Sequence, residues 1–340
     1  MKERRIVAGV IGAGRIGKMH AENLSRHFPG VFLKAVAEHR LDRRWAREWN
    51  IPTAATREAV VLEDPEIEAV VIAASTPAHL DLVTAAARAG KHVFCEKPLG
   101  FHEARILETA ALLEAAGRIL QVGFNRRFDP DTRRLAERLR AGEIGEAQMV
   151  TIVNRDPRRP PLDFVKASGG LFMDFAVHDF DMVRFLTGEE VVEVYAAGGA
   201  LIDPAIGAAG DVDTALITLR LTSGAFALVD NSRETHYGYD QRIEVYGTEG
   251  SLRMENRRPT AVVAETGRHL TYDRPYHSYV ERYRESYVAQ LEAFFRCVRE
   301  GEAAAVSGTD AAAAVAVARA ARSSWEQKAP VALGSGRSAR

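Results

Sequence analysis

The run Ile6-Val-Ala-Gly-Val-Ile11 leads without a break into Gly12-Ala-Gly14-Arg-Ile-Gly17. A short, uninterrupted apolar run predicts a strand buried on both faces. The helical pattern that follows begins around Ile16 and continues through Leu24. Strand, Gly-x-Gly-x-x-Gly and helix in this order predict a dinucleotide-binding turn. Gly12 makes the tight bend, Gly14 lets backbone approach a pyrophosphate, and Gly17 lets helix and strand pack closely. The free N–H groups of the helix start then face the phosphates. The next strand, Phe32–Ala37, ends at Glu38, roughly 20 residues beyond the last glycine, where an acid accepts from the adenosine ribose hydroxyls. A carboxylate there repels a 2′-phosphate, so NAD is the expected cofactor. His39 and Arg40 follow directly and keep NADP open, because an arginine at this turn can hold that phosphate.

The alternation continues through a strand at 69–75, which turns at Thr76-Pro77 beneath the nicotinamide half of the cofactor, and an Ala/Leu-rich helix at 78–89. A strand at 91–95 then ends in Glu96-Lys97-Pro98. A lysine at the carboxyl end of a parallel strand stands where open α/β sheets bind ligands; the competing reading is a surface lysine before a structural proline. Helix 102–116 and strand 119–124 complete a doubly wound parallel sheet, an N-terminal Rossmann domain over residues 1–124. Residues 125–333 are expected to form an α+β domain. Its runs at 191–198, 212–221, 225–232, 241–247 and 260–264 lack intervening helices, which implies a large, mostly antiparallel open sheet. Helices cover one face, and the other is free to pair with another subunit. Helices at 278–300 and 309–327 close the chain, and 334–340 reads as a disordered tail.

The 340 residues suffice for two domains. A net charge of −1 offers no electrostatic case for nucleic acid or an acidic membrane surface, and no apolar run approaches the ~20 residues that span a bilayer. Cys95 and Cys297 make neither a disulfide framework nor a zinc site. The chain begins almost directly with a strand, without a cleavable signal, so a cytoplasmic enzyme is expected.

Chemistry concentrates at 169–181, Gly-Gly-Leu-Phe-Met-Asp-Phe-Ala-Val-His-Asp-Phe-Asp. As one helix, it would place Asp174, His178 and Asp181 on a single face. Phe172, Phe175, Val177, Phe180, Met182 and Phe185 would anchor the opposite side. A polar face on so apolar a helix is costly unless it meets a cleft, a metal or a substrate. The competing reading is a buried histidine satisfied by its helix neighbours.

In order, Gly12–Gly17, Glu96-Lys97-Pro98, Asn125-Arg126-Arg127-Phe128 and the 169–181 segment resemble the glucose–fructose oxidoreductase/inositol dehydrogenase (MocA-type) family. Residues 121–186 and the turn Ser75-Thr-Pro-Ala-His79 resemble the bacterial inositol 2-dehydrogenases in particular. The resemblance implies an NAD(P)-dependent oxidation of a ring hydroxyl of a cyclic polyol or sugar, and homodimers or homotetramers formed through the open sheet. It implies His178 as general base, Asp174 as its orienting partner, and Lys97 as the group stabilising alkoxide charge. Pro98 is expected to be cis. Cofactor contacts fall to Gly12, Gly14, Arg15, Ile16, Gly17, Glu38, His39, Arg40, Ser75, Thr76, His79, Glu96 and Lys97. Besides the catalytic trio, Asn125, Arg127, Asp156, Asp181 and Tyr237 match regions that line the substrate pocket, whereas Asp179 points away. The paired glycines at 169–170 are read as a close approach of backbone to substrate. No metal is expected, since Lys97 would bring an unfavourable positive charge to an Asp174/His178/Asp181 site. Glu38 departs from the aspartate commoner in NAD-using relatives. A sugar reductase or tightly cofactor-bound oxidoreductase on the same fold is an alternative, as is a non-catalytic dinucleotide sensor, against which the intact trio argues.

Overall fold

The computed structural model describes residues 4–334; the expected tail lies outside them apart from Gly334. The described residues form two compact units.

The first unit holds the chain up to Asn125 together with Tyr287–Val315. Its six strands are β1 (Ile6–Ile11), β2 (Val31–Ala37), β3 (Thr53–Ala55), β4 (Ala69–Ile72), β5 (His92–Glu96) and β6 (Leu120–Gly123). They pair in the order β3-β2-β1-β4-β5-β6, all parallel. The order reverses between β1 and β4, and an open α/β sheet binds ligands at that switch point, beyond the carboxyl ends of its strands. Val10, Val36, Val70, Val71 and Phe94 are fully buried, as the uninterrupted apolar runs require. The helix Arg284–Glu300 supplies an apolar stripe to this same core. Its Phe295 ring lies 5.8 Å from that of Phe28 and its Phe294 ring 6.0 Å from that of Phe94. Each buried phenylalanine contributes about 1.5–3 kcal/mol. That burial explains why residues 287–315, far along the chain, belong with the Rossmann strands.

The second unit holds Arg126–Ser286 and the chain from Ala316 onward. Its main sheet comprises β7 (Ala147–Arg155), β8 (Val191–Gly199), β9 (Thr214–Leu221), β10 (Phe226–Ser232), β11 (Asp240–Gly247), β12 (Gly250–Met254) and a short closing strand at Val331–Ala332. The order is β12-β11-β7-β10-β9-β8 and then the closing strand. β10 runs parallel to β7 and the other pairings are antiparallel. Alternation is strict along β9, where Ala215, Ile217, Leu219 and Leu221 are buried while Leu216, Thr218 and Arg220 are exposed. Helices Pro130–Arg140 and Val177–Thr187 pack against the sheet at β12 and β7. A separate hairpin, Val263–Glu265 with Leu270–Tyr272, stands on exposed residues.

One element departs from expectation in a way that matters for function. Residues 169–181 are not one regular helix: a π-helical turn at Leu171–Phe175 precedes an α-helix at Val177–Thr187. Gly169, at φ +87°, closes the helix Leu162–Ser168 in the left-handed conformation. Gly170 follows at φ +79°, and the Leu171 N–H is then taken by both oxygens of Asp211, at 3.0 and 3.2 Å. The helix therefore starts afresh at Leu171, with Asp174 on the π-helical turn and His178 and Asp181 both on the regular helix that follows. Among the described residues, no helix is long and apolar enough to cross a membrane.

Candidate active site

In the first unit the glycine loop has the shape of a phosphate cradle. Gly12 stands at φ +87°, and a Cβ there would meet the Ala74 backbone nitrogen at 2.5 Å. A Cβ on Gly17 would fall 1.7 Å from the Gly12 carbonyl oxygen, so only glycine permits the crossing of loop and helix. A Cβ on Gly14 would meet nothing within 4 Å. That open side, at the N-cap of the helix Arg15–His27, is what a pyrophosphate approaching backbone N–H groups requires. The Ala13 N–H donates to Glu38 Oε2 at 2.7 Å and the Arg40 N–H to Glu38 Oε1 at 3.0 Å. The acid is thus fixed across the loop, at the ribose end. Arg15, His39 and Arg40 are exposed around it, and Ile16 is half-buried. Ser75, exposed, is the N-cap of the helix Thr76–Arg88 and directs a second helix start to the same carboxyl edge. These residues fit a dinucleotide.

The turn after β5 is built from within. Lys97–Pro98 is a cis peptide, as the resemblance implies. His79 is 1% exposed, and its ring nitrogens face the carbonyls of Pro98, at 2.8 Å, and Ala74, at 3.0 Å. Burial pushes this imidazole's pKa below its ordinary value, so the neutral ring donates to one of the two carbonyls. His79 therefore ties two strand-end turns together, with both ring nitrogens turned to backbone carbonyls. Glu96 likewise turns inward: its Oε1 lies 2.7 Å from Nε2 of the fully buried His20. Both residues shape the backbone that presents Lys97, which is half-buried. Asn125, expected to touch substrate, is buried at the end of this unit.

In the second unit the four polar residues of 169–181 separate into two kinds. Asp174, on the π-helical turn, and His178, in the first turn of the following helix, are both partly exposed. Asp179 and Asp181 are fully buried. Asp181 accepts from Arg127 Nε at 2.9 Å and Nη2 at 2.6 Å, a bidentate pair. Asp181, expected to contact substrate, is buried with its carboxylate on Arg127.

Asp179, expected to be a bystander, is a hub. It accepts from Arg126 at 2.6 Å, from Asn154 on β7 at 2.9 and 3.2 Å, and from Asn231 on β10 at 2.9 Å. Burial raises the Asp179 carboxyl while Arg126 and the two asparagines act against that rise. Arg126 also donates to the Tyr239 hydroxyl at 3.1 Å. Two other expected contacts flank this region. Asp156 is half-buried, and its N–H donates to the Ser232 carbonyl at 2.9 Å. Tyr237 is 41% exposed; its hydroxyl donates to Asp240 at 2.6 Å and accepts from Arg155 at 3.2 Å.

Arg233 was not among the expected site residues. It is 2% exposed, and its Nη1 donates to Asp174 Oδ2 at 3.3 Å. The sequence carried a signal for it: Ala227, Val229 and Asn231 face inward, and the same period of two reaches Arg233 just beyond the strand. Among the described residues, no group of three or more His, Cys, Asp or Glu side chains is arranged to hold a metal ion.

A dinucleotide cradle on a Rossmann sheet, joined in one chain to an α/β unit carrying a partly open aspartate and histidine four residues apart, defines a two-domain pyridine-nucleotide oxidoreductase. The chain belongs to the GFO/IDH/MocA oxidoreductase family: the family model for the NAD-binding Rossmann fold matches residues 6–124, and that for the C-terminal alpha/beta domain matches residues 136–333. It is similar to a myo-inositol 2-dehydrogenase of Thermotoga maritima, 44% identical over 96% of this chain and 98% of that protein. It is 42% identical to an inositol 2-dehydrogenase of Rhizobium meliloti, again over 96% and 98% of the two chains. The structure of a scyllo-inositol dehydrogenase from Lactobacillus casei, with bound NAD(H) and scyllo-inositol, superposes with a TM-score of 0.90 at 27% identity, covering 97% of this chain and 99% of that one.

Removing one partner of the Arg126–Asp179 pair strands a buried charge. Arg126→Met is expected to cost about 3–5 kcal/mol in urea-induced unfolding of the chain. Adding Asp179→Asn should recover part of that loss; no recovery would mean that the pair's charge is not what fixes the helix.

Proposed function

We propose that this chain is an NAD-dependent dehydrogenase that oxidises one ring hydroxyl of myo-inositol, or of a related cyclic polyol or sugar, to the ketone. The observation that carries the reading is the division within 171–187: Asp179 and Asp181 are buried and paired, whereas Asp174 and His178 stay partly open. An acid and a histidine left open on a segment otherwise fastened into the core suit a general base and its orienting group. The relatives' substrates supply the polyol.

When bound, the nicotinamide supplies the hydride acceptor. His178 takes the proton of the reacting hydroxyl; an imidazole suits this because its unperturbed pKa, about 6.5, lies near working pH. Asp174 orients the ring and stabilises the imidazolium that forms. Lys97, presented by the cis turn, donates to the reacting oxygen and stabilises developing alkoxide charge. Asp156 and Tyr237, both partly exposed, are the proposed contacts to the other hydroxyls. Asn125 and Arg127 belong to the same set, with Arg127 held in place by Asp181. Glu38 selects NAD over NADP by repelling a 2′-phosphate. The proposed compartment is the cytoplasm, where free NAD is the oxidant.

The proposed assembly is a homodimer or homotetramer through the outer face of the second unit's sheet. Tyr246, Met149 and Phe226 stand side by side across β11, β7 and β10, each about half exposed, with Leu216 further along on β9. Such a row on a seven-stranded sheet is an interface in want of a partner.

Three outcomes follow. His178→Ala should lower turnover of myo-inositol by about 10²–10⁴-fold while NAD affinity, read by fluorescence titration, stays as in the wild type; undiminished turnover would remove His178 as the base. Glu38→Ser should raise kcat/KM for NADP relative to NAD, and an unchanged ratio would place the ribose contact elsewhere. Phe226→Arg with Met149→Arg should shift the oligomer to monomer in sedimentation velocity; an unshifted oligomer would place the interface on another surface.

A further inference from the structure

Arg233 is a buried cation that uses few of its donors. Its Nη1 bonds Asp174, while Nε and Nη2 have no hydrogen-bond partner among the described residues. Its guanidinium carbon lies 4.9 Å from the centre of the Phe175 ring, a cation–π contact that offsets part of its desolvation. The backbone leaves it little freedom, because the Arg233 N–H donates to the Asp213 carbonyl at 2.8 Å directly after β10. For stability alone, apolar side chains in place of both Arg233 and Asp174 would often serve as well. Its buried guanidinium is not a surface that substrate reaches. The group it hydrogen-bonds is Asp174, whose side chain is 15% exposed; its charge also acts on the nearby Asp211 carboxylate.

The π-helical turn bearing Asp174 is therefore held from two sides. Asp211 binds the Leu171 N–H at its start, and Arg233 grips the Asp174 carboxylate itself while covering the neighbouring Phe175. A π-helical turn is an irregular element, often found at functional sites, and its side chains need outside support to keep one direction.

We propose that Arg233 is a positioning residue for the dehydrogenase reaction, acting through Asp174: it fixes the carboxylate that orients His178. The proposal rests on the reading of Asp174 and His178 given above. At 2% exposure Arg233 offers substrate and cofactor almost no surface, so its loss is read in kcat and not in binding.

The test is a double-mutant cycle on the full chain, with myo-inositol and NAD as substrates. Arg233→Met is expected to lower kcat about 10–100-fold, by analogy with losing the partner behind a metal-ligating histidine, with both KM values within about 2-fold of wild type. Arg233→Lys, which keeps the charge, should recover part of kcat. Asp174→Asn should lower kcat by at least as much, and adding Arg233→Met to it should lower kcat no further, because the group through which Arg233 acts has already been disabled. The double variant also removes the unpaired charge, so it remains informative if Arg233→Met alone fails to fold. Independent, multiplicative losses in the double variant would overturn the positioning role and leave Asp174 in place. A rise in KM with kcat intact would overturn it as well. Undiminished turnover in Asp174→Asn would instead overturn the reading on which the proposal rests.

Discussion

Asp179 is where the base-bearing helix is fastened to its sheet. One fully buried carboxylate draws hydrogen bonds from Arg126 and from Asn154 and Asn231, the latter two on adjacent parallel strands. A buried charge is expensive unless its acceptor sites are filled by good donors. With them filled, the carboxylate fixes the rotation of the helix Val177–Thr187 about its axis, as an apolar contact would not. Asp181, two residues on, repeats the arrangement with Arg127. The direction in which His178 points is set by these two ion pairs on the inward side of its own helix.

The same logic runs through the first unit at lower cost. His79 and Glu96 look like cofactor contacts by position, yet both turn inward, one onto backbone carbonyls and the other onto His20. They hold the cis turn that presents Lys97. Lys97 and Asp174 are thus presented by short irregular segments and His178 by the first turn of a regular helix, each with neighbours locked from behind. A reaction that needs a base and an alkoxide stabiliser held to within a fraction of an ångström requires such support.

The Rossmann sheet was legible because each of its signals is local. An apolar run, three glycines at fixed spacing and an acid at the next strand end require no knowledge of distant residues, and Glu38 lies against the glycine loop as its position implies. The antiparallel strands were legible from alternation, although β12 escaped because only Leu252 and Met254 of its five residues face inward. The 169–181 segment was only partly legible. A uniform helical period runs through Asp174, His178 and Asp181 alike, but Gly169, Gly170 and the distant Asp211 restart the chain at Leu171 with a π-helical turn that no local pattern announces. The paired glycines serve that turn: a Cβ on Gly170 would lie 2.5 Å from the Asp211 carboxylate. Arg233 was missed because its meaning lies in a contact across 59 residues of sequence, where local pattern carries no information about the partner.

The central claim is that a carbon-bound hydride leaves a ring carbon of the polyol for the nicotinamide. Incubating the purified chain with NAD and myo-inositol deuterated at every ring carbon, then weighing the reduced cofactor by mass spectrometry, tests this directly. Hydride transfer from the ring carbon yields NADH carrying one deuterium at C4 of its nicotinamide. Unlabelled NADH, or no reduction by a protein that binds NAD, would contradict it.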